Sequence, residues 1–443
     1  MQTYLKHILI TIACTLFSLH CIGQTPNDPI KIDLNKAIEI ALSDNPTMRI
    51  AGREVEVKKN YKREQIVSLF PDVSASGSFN RTLLKQTMVM DFNGQNMEIE
   101  VGTDNNWSAG FNLSLPVVAP ALWFNLKLSQ LDVELAMENA RASKISLVGE
   151  VKKAYYNYLL AKDSYRVLQL NYNNVKMNFE NIAKKYEQGM ASEFDKLRAE
   201  VQMKNQIPNM KSAESGVELA SMMLKVLIGI DMKEAISFEG SLEDFENEML
   251  TKAAPDVNTL SLSQNSDIHK LDLSLQQLNT ASKILISSAA PTLGLQGALQ
   301  TSTMFNDGNY GGSWYPNSYI AFGLNIPIVS WAGTAYKLKS NKLNINSLED
   351  QKKYVEDNLR ISLYNSVTKI KNAIEELASN KETVLQAEKA HSISQKQYEV
   401  GMATWLDLNA VELALTGARL AYHQSIYNYL TAYAELEKTL GNN

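Results

Sequence analysis

The chain has 443 residues, enough for a large core or for long fibrous elements, with 43 basic against 48 acidic side chains and a net charge of −5. That acidic balance gives no electrostatic footprint for nucleic acid. Beyond residue 23 there is no cysteine and no apolar run of 18 residues, which excludes thiol chemistry and a membrane-spanning helix from that stretch.

Residues 1–23 read as an address. Lys6 and His7 precede an apolar run from Ile8 to Leu19, and Cys21-Ile22-Gly23 offers small residues before a cleavage at Gln24. Loss of this Sec signal peptide takes away both cysteines and Lys6, leaving 42 basic against 48 acidic side chains, a net −6. Acylation of Cys21 fits less well, because Ser18-Leu19-His20 precedes it instead of a Leu-small-small run.

A first repeat is expected over 24–229, opening with a short amphipathic helix, Leu34–Leu42, that stops at Asn45-Pro46. A strand pair follows at about 72–84 and 106–116. In the first strand Val73, Ala75, Gly77 and Phe79 alternate with Ser74, Ser76, Ser78 and Asn80. In the second, Trp107, Ala109, Phe111, Leu113 and Leu115 share one face. Residues 121–187 then contain no proline and one glycine, Gly149, and predict one helix roughly 100 Å long at ~1.5 Å per residue. Its partner carries Pro208, which predicts a kink or an interruption. Residues 230–265, with Gly240, Pro255 and an acidic run near Glu243–Glu248, read as a connector between two copies, an equatorial region.

A second repeat is expected over 266–443. Its strand pair, about 291–301 and 318–327, sets Leu293, Leu295, Gly297 and Leu299, then Ile320, Phe322, Leu324 and Ile326, on single faces. The loops 81–106 and 301–318 read as polar connections between the strands of each pair. Each strand is about nine residues, the length of a tilted bilayer-crossing strand. In the long helix at 332–399, Leu363, Val367, Ile370, Ile374 and Leu377 step as a coiled-coil seam, and a cleaner seam runs from Leu408 to Leu440.

The repetition is explicit at the helix junctions. Residues 186–229 reappear without a gap as 398–441: Tyr186-Glu-Gln-Gly-Met-Ala-Ser-Glu-Phe-Asp195 against Tyr398-Glu-Val-Gly-Met-Ala-Thr-Trp-Leu-Asp407. A period above 200 residues marks a duplicated half-domain, not a solenoid. Gly189 and Gly401 suit the left-handed residue after a helix C-terminus, while Ser192 and Thr404, each followed at +3 by Asp195 or Asp407, suit a helix N-cap. Each head is thus a tight helix-turn-helix tip. Four strands are too few to close a membrane barrel, so copies must pool them: a dimer would give eight and a trimer twelve.

With those features in place the chain resembles the TolC-like outer-membrane efflux proteins over nearly its whole length after the leader. The resemblance rests on Leu34-Asn-Lys-Ala-Ile-Glu-Ile-Ala-Leu-Ser-Asp-Asn-Pro46, on the strand ends Leu113-Ser-Leu-Pro116 and Leu324-Asn-Ile-Pro327, on the duplicated tips and on Leu436-Glu-Lys-Thr-Leu-Gly441. It implies a mainly α fold with a transmembrane β part. Three copies would share a 12-stranded barrel in outer-membrane lipid, continuous with a periplasmic α-helical barrel, in a Gram-negative bacterium. The implied partners are a periplasmic adaptor (membrane fusion) protein and an inner-membrane transporter that supplies the energy, with no cofactor. It further implies that Tyr398 and Asp407 help form the periplasmic constriction, and that Gly189, Met190, Ala191 and Ser192 with Gly401, Met402, Ala403 and Thr404 meet the adaptor. Ala403 stands where the family has an arginine that bonds across chains, and Ala410 where it has a second aspartate; that departure implies a looser or more apolar closure.

A periplasmic coiled-coil scaffold that never enters the membrane is the competing reading, and four bilayer-length strands weigh against it. Trp107, Trp123, Trp314 and Trp331 near strand ends suit an aromatic girdle. His269, His391 and His423 are far apart, and no metal, nucleophile or phosphate-loop spacing supports an enzyme. The tyrosines at 155, 156, 158 and 165, and at 422, 427, 429 and 433, read as interhelix packing in preference to an aromatic ligand site.

Overall fold

The computed structural model describes residues 30–92, 95–251, 254–308, 312–328 and 331–442, so the leader read at 1–23 lies outside it. In chain order the elements are β1 (Ile30–Ile32), α1 (Leu34–Asp44), α2 (Pro46–Val67), β2 (Asp72–Arg81), β3 (Gln86–Phe92), β4 (Gln95–Val101), β5 (Asn105–Val118), α3 (Pro120–Glu187) and α4 (Glu193–Ile228). They continue with β6 (Ile236–Phe238), α5 (Glu246–Thr251), α6 (Ser266–Ser287), β7 (Thr292–Phe305), β8 (Tyr315–Asn325), α7 (Trp331–Glu399) and α8 (Trp405–Leu440).

Two helices of 68 and 69 residues, α3 and α7, run from the sheet that precedes them to the turns before α4 and α8. Each pairs with a 36-residue helix, α4 or α8, at one end and with a 22-residue helix, α2 or α6, towards the other. The stacked short helices meet at matched joints. Asn45 caps α2 by accepting the Thr47 amide at 2.7 Å and donates its Nδ2 to the Leu227 carbonyl at 2.6 Å. Asn265 repeats this, accepting the Asp267 amide at 2.8 Å and donating to the Thr439 carbonyl at 2.8 Å. A glycine closes each joint, Gly229 at φ +84° and Gly441 at φ +76°. A Cβ on Gly229 would stand 2.9 Å from the Asp44 carbonyl, and one on Gly441 only 2.1 Å from that of Gln264. The chain approaches too closely there for any other residue.

Three expectations need correction. First, α4 is not interrupted: it runs through Pro208. Pro208 removes one backbone donor, but Lys204 and Pro208 both lie on the exposed face, where water can satisfy the freed carbonyl. Second, residues 230–265 are more than a connector. Phe238, Leu242 and Met249 are among the most deeply buried side chains, packed with Leu159, Leu224, Ile370, Leu377 and Ile426. Strand β6 pairs in parallel with β1, the Asp163 carboxylate accepts the Leu242 amide at 2.9 Å, and Tyr422 donates to Glu246 at 2.8 Å. The segment is a belt that ties α3, α7 and α8 together at the molecule's waist. Third, the loop 81–106 is not simply polar: β3 and β4 form a second hairpin inside it. Val89, opposite in parity to Met88 and Met90, blurs the alternation that would have announced it.

The seam residues Leu363, Val367, Ile370 and Leu377 are buried, as are Leu408, Leu415, Ile426, Tyr429, Leu436 and Leu440. Tyr155, Tyr156 and Tyr158 belong to the same core, with Tyr155 donating to the Glu239 carbonyl at 2.5 Å. Among the described residues no helix is long and apolar enough to cross a membrane.

Candidate functional site

The features that point to a function lie at opposite ends of the molecule. At one end β2, β5, β7 and β8 form a four-stranded antiparallel sheet in the order β2-β5-β7-β8. Its registers pair Phe79 with Trp107, Phe111 with Leu299 and Leu295 with Phe322, so the apolar sets of all four strands fall on one face. Phe79, Phe111, Leu299, Ile320, Phe322 and Leu324 are each about half exposed or more. The opposite face is a ladder of hydroxyls and amides. Ser78 and Ser108 share a 2.7 Å hydrogen bond, Asn112 donates to Ser76 at 3.0 Å, and Gln300 donates to Asn112 at 3.2 Å. Asp72, at the end next to the helices, is the one charged side chain that the four strands place on that face. An apolar outside and a polar, nearly uncharged inside is the division of a membrane barrel wall. The sheet is open: β2 and β8 are its edges, with every residue exposed.

At the other end are the two helix-turn-helix tips. The first closes with Met190 donating its amide to the Lys185 carbonyl at 2.8 Å and the second with Met402 donating to Gln397 at 2.7 Å, around Gly189 at φ +74° and Gly401 at φ +77°. This is the Schellman arrangement that satisfies a helix's last carbonyls. Met190 and Met402 are exposed on the tips, at 68% and 79%, as are Phe194 at 69% and Val400 at 70%. Ala191 and Ala403 are half-buried beside them.

The caps differ between copies. Thr404 and Asp407 form a complete capping box: Thr404 accepts the Asp407 amide at 3.2 Å, and the Asp407 carboxylate accepts the Thr404 amide at 2.9 Å. The Thr404 hydroxyl also donates to that carboxylate at 2.6 Å. Hydroxyl first and amide second hold Asp407 below the usual carboxylate range. In the first copy Ser192 accepts the Asp195 amide at 3.1 Å and donates to its carboxylate at 2.6 Å, without the reciprocal backbone bond.

The structure brings the two tips side by side through contacts that were not read from the sequence. The Lys185 ammonium of the first hairpin lies 5.1 Å from the ring centre of Tyr398 in the second, and the Arg198 guanidinium lies 5.8 Å from that of Trp405. Lys196 stands 4.9 Å over Tyr186 within the first hairpin. These are cation–π distances. Burial, then the Asp195 carboxylate, pushes the half-buried Tyr398 hydroxyl up from its ordinary value. Lack of an arginine at 403 is thus not a lack of cations; they come from the other copy. The available signal was an asymmetry: Lys184, Lys185, Lys196 and Arg198 flank the first tip, while Lys396 alone flanks the second.

Farther along the bundle, Glu412, buried on α8, is paired by His391 of α7 and accepts from the Asn174 amide of α3 at 2.7 Å. His423 instead meets Glu243 of the belt at 3.2 Å.

A family model described as outer membrane efflux protein matches residues 37–229 and 258–442 of the chain. Among characterised proteins, the outer membrane protein TolC of Vibrio cholerae is 21% identical over 347 residues, 75% of this chain and 76% of that one. The probable efflux pump outer membrane protein TtgC of Pseudomonas putida is 22% identical over 426 residues, 92% of this chain and 82% of its own. Among solved structures the CmeC outer membrane channel of Campylobacter jejuni superposes with a TM-score of 0.73 at 17% identity, over 92% of this chain and 85% of that one.

Proposed function

This chain belongs to the outer membrane efflux protein family and is an efflux channel of the Gram-negative outer membrane, and from that premise we propose that three copies form one continuous duct that conducts passively and catalyses no reaction. The observation that carries this reading is the open four-stranded sheet with one apolar face. Unpaired edges are not tolerated in hydrocarbon, so β2 of one copy must meet β8 of the next. The chain rises along β2, so β8 descends and the new pair is antiparallel. Three copies give about twelve strands, a barrel wide enough for an aqueous lumen.

The helices carry matching unsatisfied surfaces. On the β2 side, α2 exposes Ile50, Val57 and Tyr61; on the β8 side, α7 exposes Tyr336, Leu343, Tyr354, Ile361 and Tyr364. Two different surfaces on opposite flanks make a head-to-tail interface, which closes into a ring. The chain itself divides into two repeats, 24–229 and 266–443, joined by the belt at 230–265, so a ring of three holds six tips.

The tips are the gate and the docking end. Tyr398 and Asp407 line the constriction, and Gly189–Ser192 with Gly401–Thr404 meet a periplasmic adaptor that links the duct to an inner-membrane transporter. The adaptor contact uses the exposed thioethers of Met190 and Met402, soft and adaptable groups. The closed state is held within each protomer by Lys185 on Tyr398 and Arg198 on Trp405, in place of an arginine–aspartate lock.

Purified protein from solubilised outer membranes, weighed by native mass spectrometry and reconstituted in planar bilayers, tests this reading. Trimers that conduct little until Asp407→Ala loosens the tips are expected. Monomers, or trimers that stay silent in both forms, refute it.

A further inference from the structure

We propose that the β3–β4 hairpin of each protomer reaches across the barrel seam and lays its methionine face on Trp314 of the neighbouring copy, clasping the outer rim. This rests on the ring of three copies described above.

The hairpin is a two-sided ribbon. Its register pairs Met88 with Ile99 and Met90 with Met97 on one face, and Thr87 with Glu100 and Val89 with Glu98 on the other. One face is therefore apolar and rich in thioethers, the other largely polar and acidic. Met88, Met90 and Met97 are each about half exposed, at 48%, 49% and 51%. The two strands pack on each other and make no comparable contact with any other described element of their own chain. An isolated two-stranded hairpin is marginal in water and needs its apolar face covered.

Position selects the cover. The hairpin follows β2, an edge strand, after only the four residues 82–85, so its root lies at the edge that receives the next copy. Leu83 and Leu84 in that connection are 86% and 91% exposed, which is costly for leucines unless a neighbour covers them. The receiving edge, β8, begins at the same rim, directly after Trp314, which is 52% exposed. Methionine sulfur on aromatic rings is a favourable pairing that tolerates imprecise fit.

The base of the hairpin is fixed. Lys85 pairs with Asp104 at 2.9 Å and donates to Asn306 at 3.2 Å, and Arg81 pairs with Asp307 at 2.8 Å. Asn105 donates to Asp307 at 2.9 Å, and the Asp307 amide donates back to Asp104 at 3.0 Å. These contacts tie the β2–β3 and β4–β5 connections to the start of the β7–β8 loop. The arm therefore need not be ordered when the copies meet.

The test uses cysteine pairs. The chain's two cysteines both precede residue 24, so introduced thiols have no competitors in the barrel. Met88→Cys or Met90→Cys combined with Trp314→Cys should crosslink protomers into dimers and trimers on oxidation, seen on non-reducing gels after denaturation. Glu98→Cys with the same partner, on the acidic face, should give no ladder. Trimers intact by native mass spectrometry but uncrosslinked in every methionine-face pair would overturn the clasp while leaving the ring standing. So would equal crosslinking from both faces, which describes a loose arm. Quenching of a fluorophore at Met90→Cys by brominated lipid would also overturn it, by showing the bilayer as the cover. Absence of trimers in the unsubstituted protein would instead remove the ring itself.

Discussion

The pair of cation–π contacts at the tips gives the sharpest test of the gate. Each is worth about 0.5–1 kcal/mol at an exposed site, and each protomer holds two between its hairpins, Lys185 on Tyr398 and Arg198 on Trp405. If all three protomers open together, six contacts break, a total of about 3–6 kcal/mol. At about 1.4 kcal/mol per tenfold, that moves the open–closed equilibrium by roughly 10²–10⁴. Lys185→Gln with Arg198→Gln is therefore expected to convert a mostly closed channel into one that conducts continuously in planar bilayers. The ring substitutions separate this from a general loss of positive charge at the mouth. Tyr398→Phe keeps the π face and should keep the channel closed, whereas Tyr398→Leu should open it about as far as Lys185→Gln. The two changes should be non-additive in a double-mutant cycle, with a coupling near 0.5–1 kcal/mol per contact. Additive effects, or an open Tyr398→Phe channel, would refute the latch.

Three further outcomes follow from the geometry. Gly189→Ala meets a left-handed backbone but open space, and should cost about 1–2 kcal/mol of stability, whereas Gly229→Ala adds a Cβ 2.9 Å from the Asp44 carbonyl and should cost at least about 3 kcal/mol in thermal unfolding. Asp407 is held below the usual carboxylate range, so the capping box contributes above that range and is lost only as pH falls through the lowered value; conductance should not change between pH 7 and 5 on its account. Because the polar face of the sheet is nearly uncharged, Ser108→Lys should shift the reversal potential of tip-opened channels towards anions, and an unchanged potential would show that this face does not line the lumen.

Much of this was legible in the sequence, for physical reasons that differ by element. The four barrel strands announced themselves because one face must be greasy and the other wet, which prints a period of two. The tips were legible because a tight helical turn needs glycine at one place and a hydroxyl three residues before a carboxylate. What stayed hidden was structure whose partners are remote. Helix α2 is rich in charged side chains, and its Ile50, Val57 and Tyr61 lack a cover within the chain, so its pattern named no core. The belt at 230–265 looked like a linker because its buried anchors, Phe238, Leu242 and Met249, are too few to show a period. Pro208 misled because propensity penalises a proline without knowing that the orphaned carbonyl faces water.

The duplication has a consequence that neither copy shows alone. Two identical hairpins side by side would keep a ring at the Tyr186/Tyr398 position but would lack the pairing of Arg198 with Trp405, because Glu193 stands at the matching place in the first copy. Here the copies have parted: the first tip holds Lys185, Lys196 and Arg198 where the second has Gln397, Leu408 and Ala410, and the second holds Trp405 where the first has Glu193. Divergence thus turned a repeat into a donor and an acceptor, and the attraction lies within the protomer and not only across the ring. If the proposed gate is held by these contacts, it should be released one protomer at a time by anything that competes for the cations.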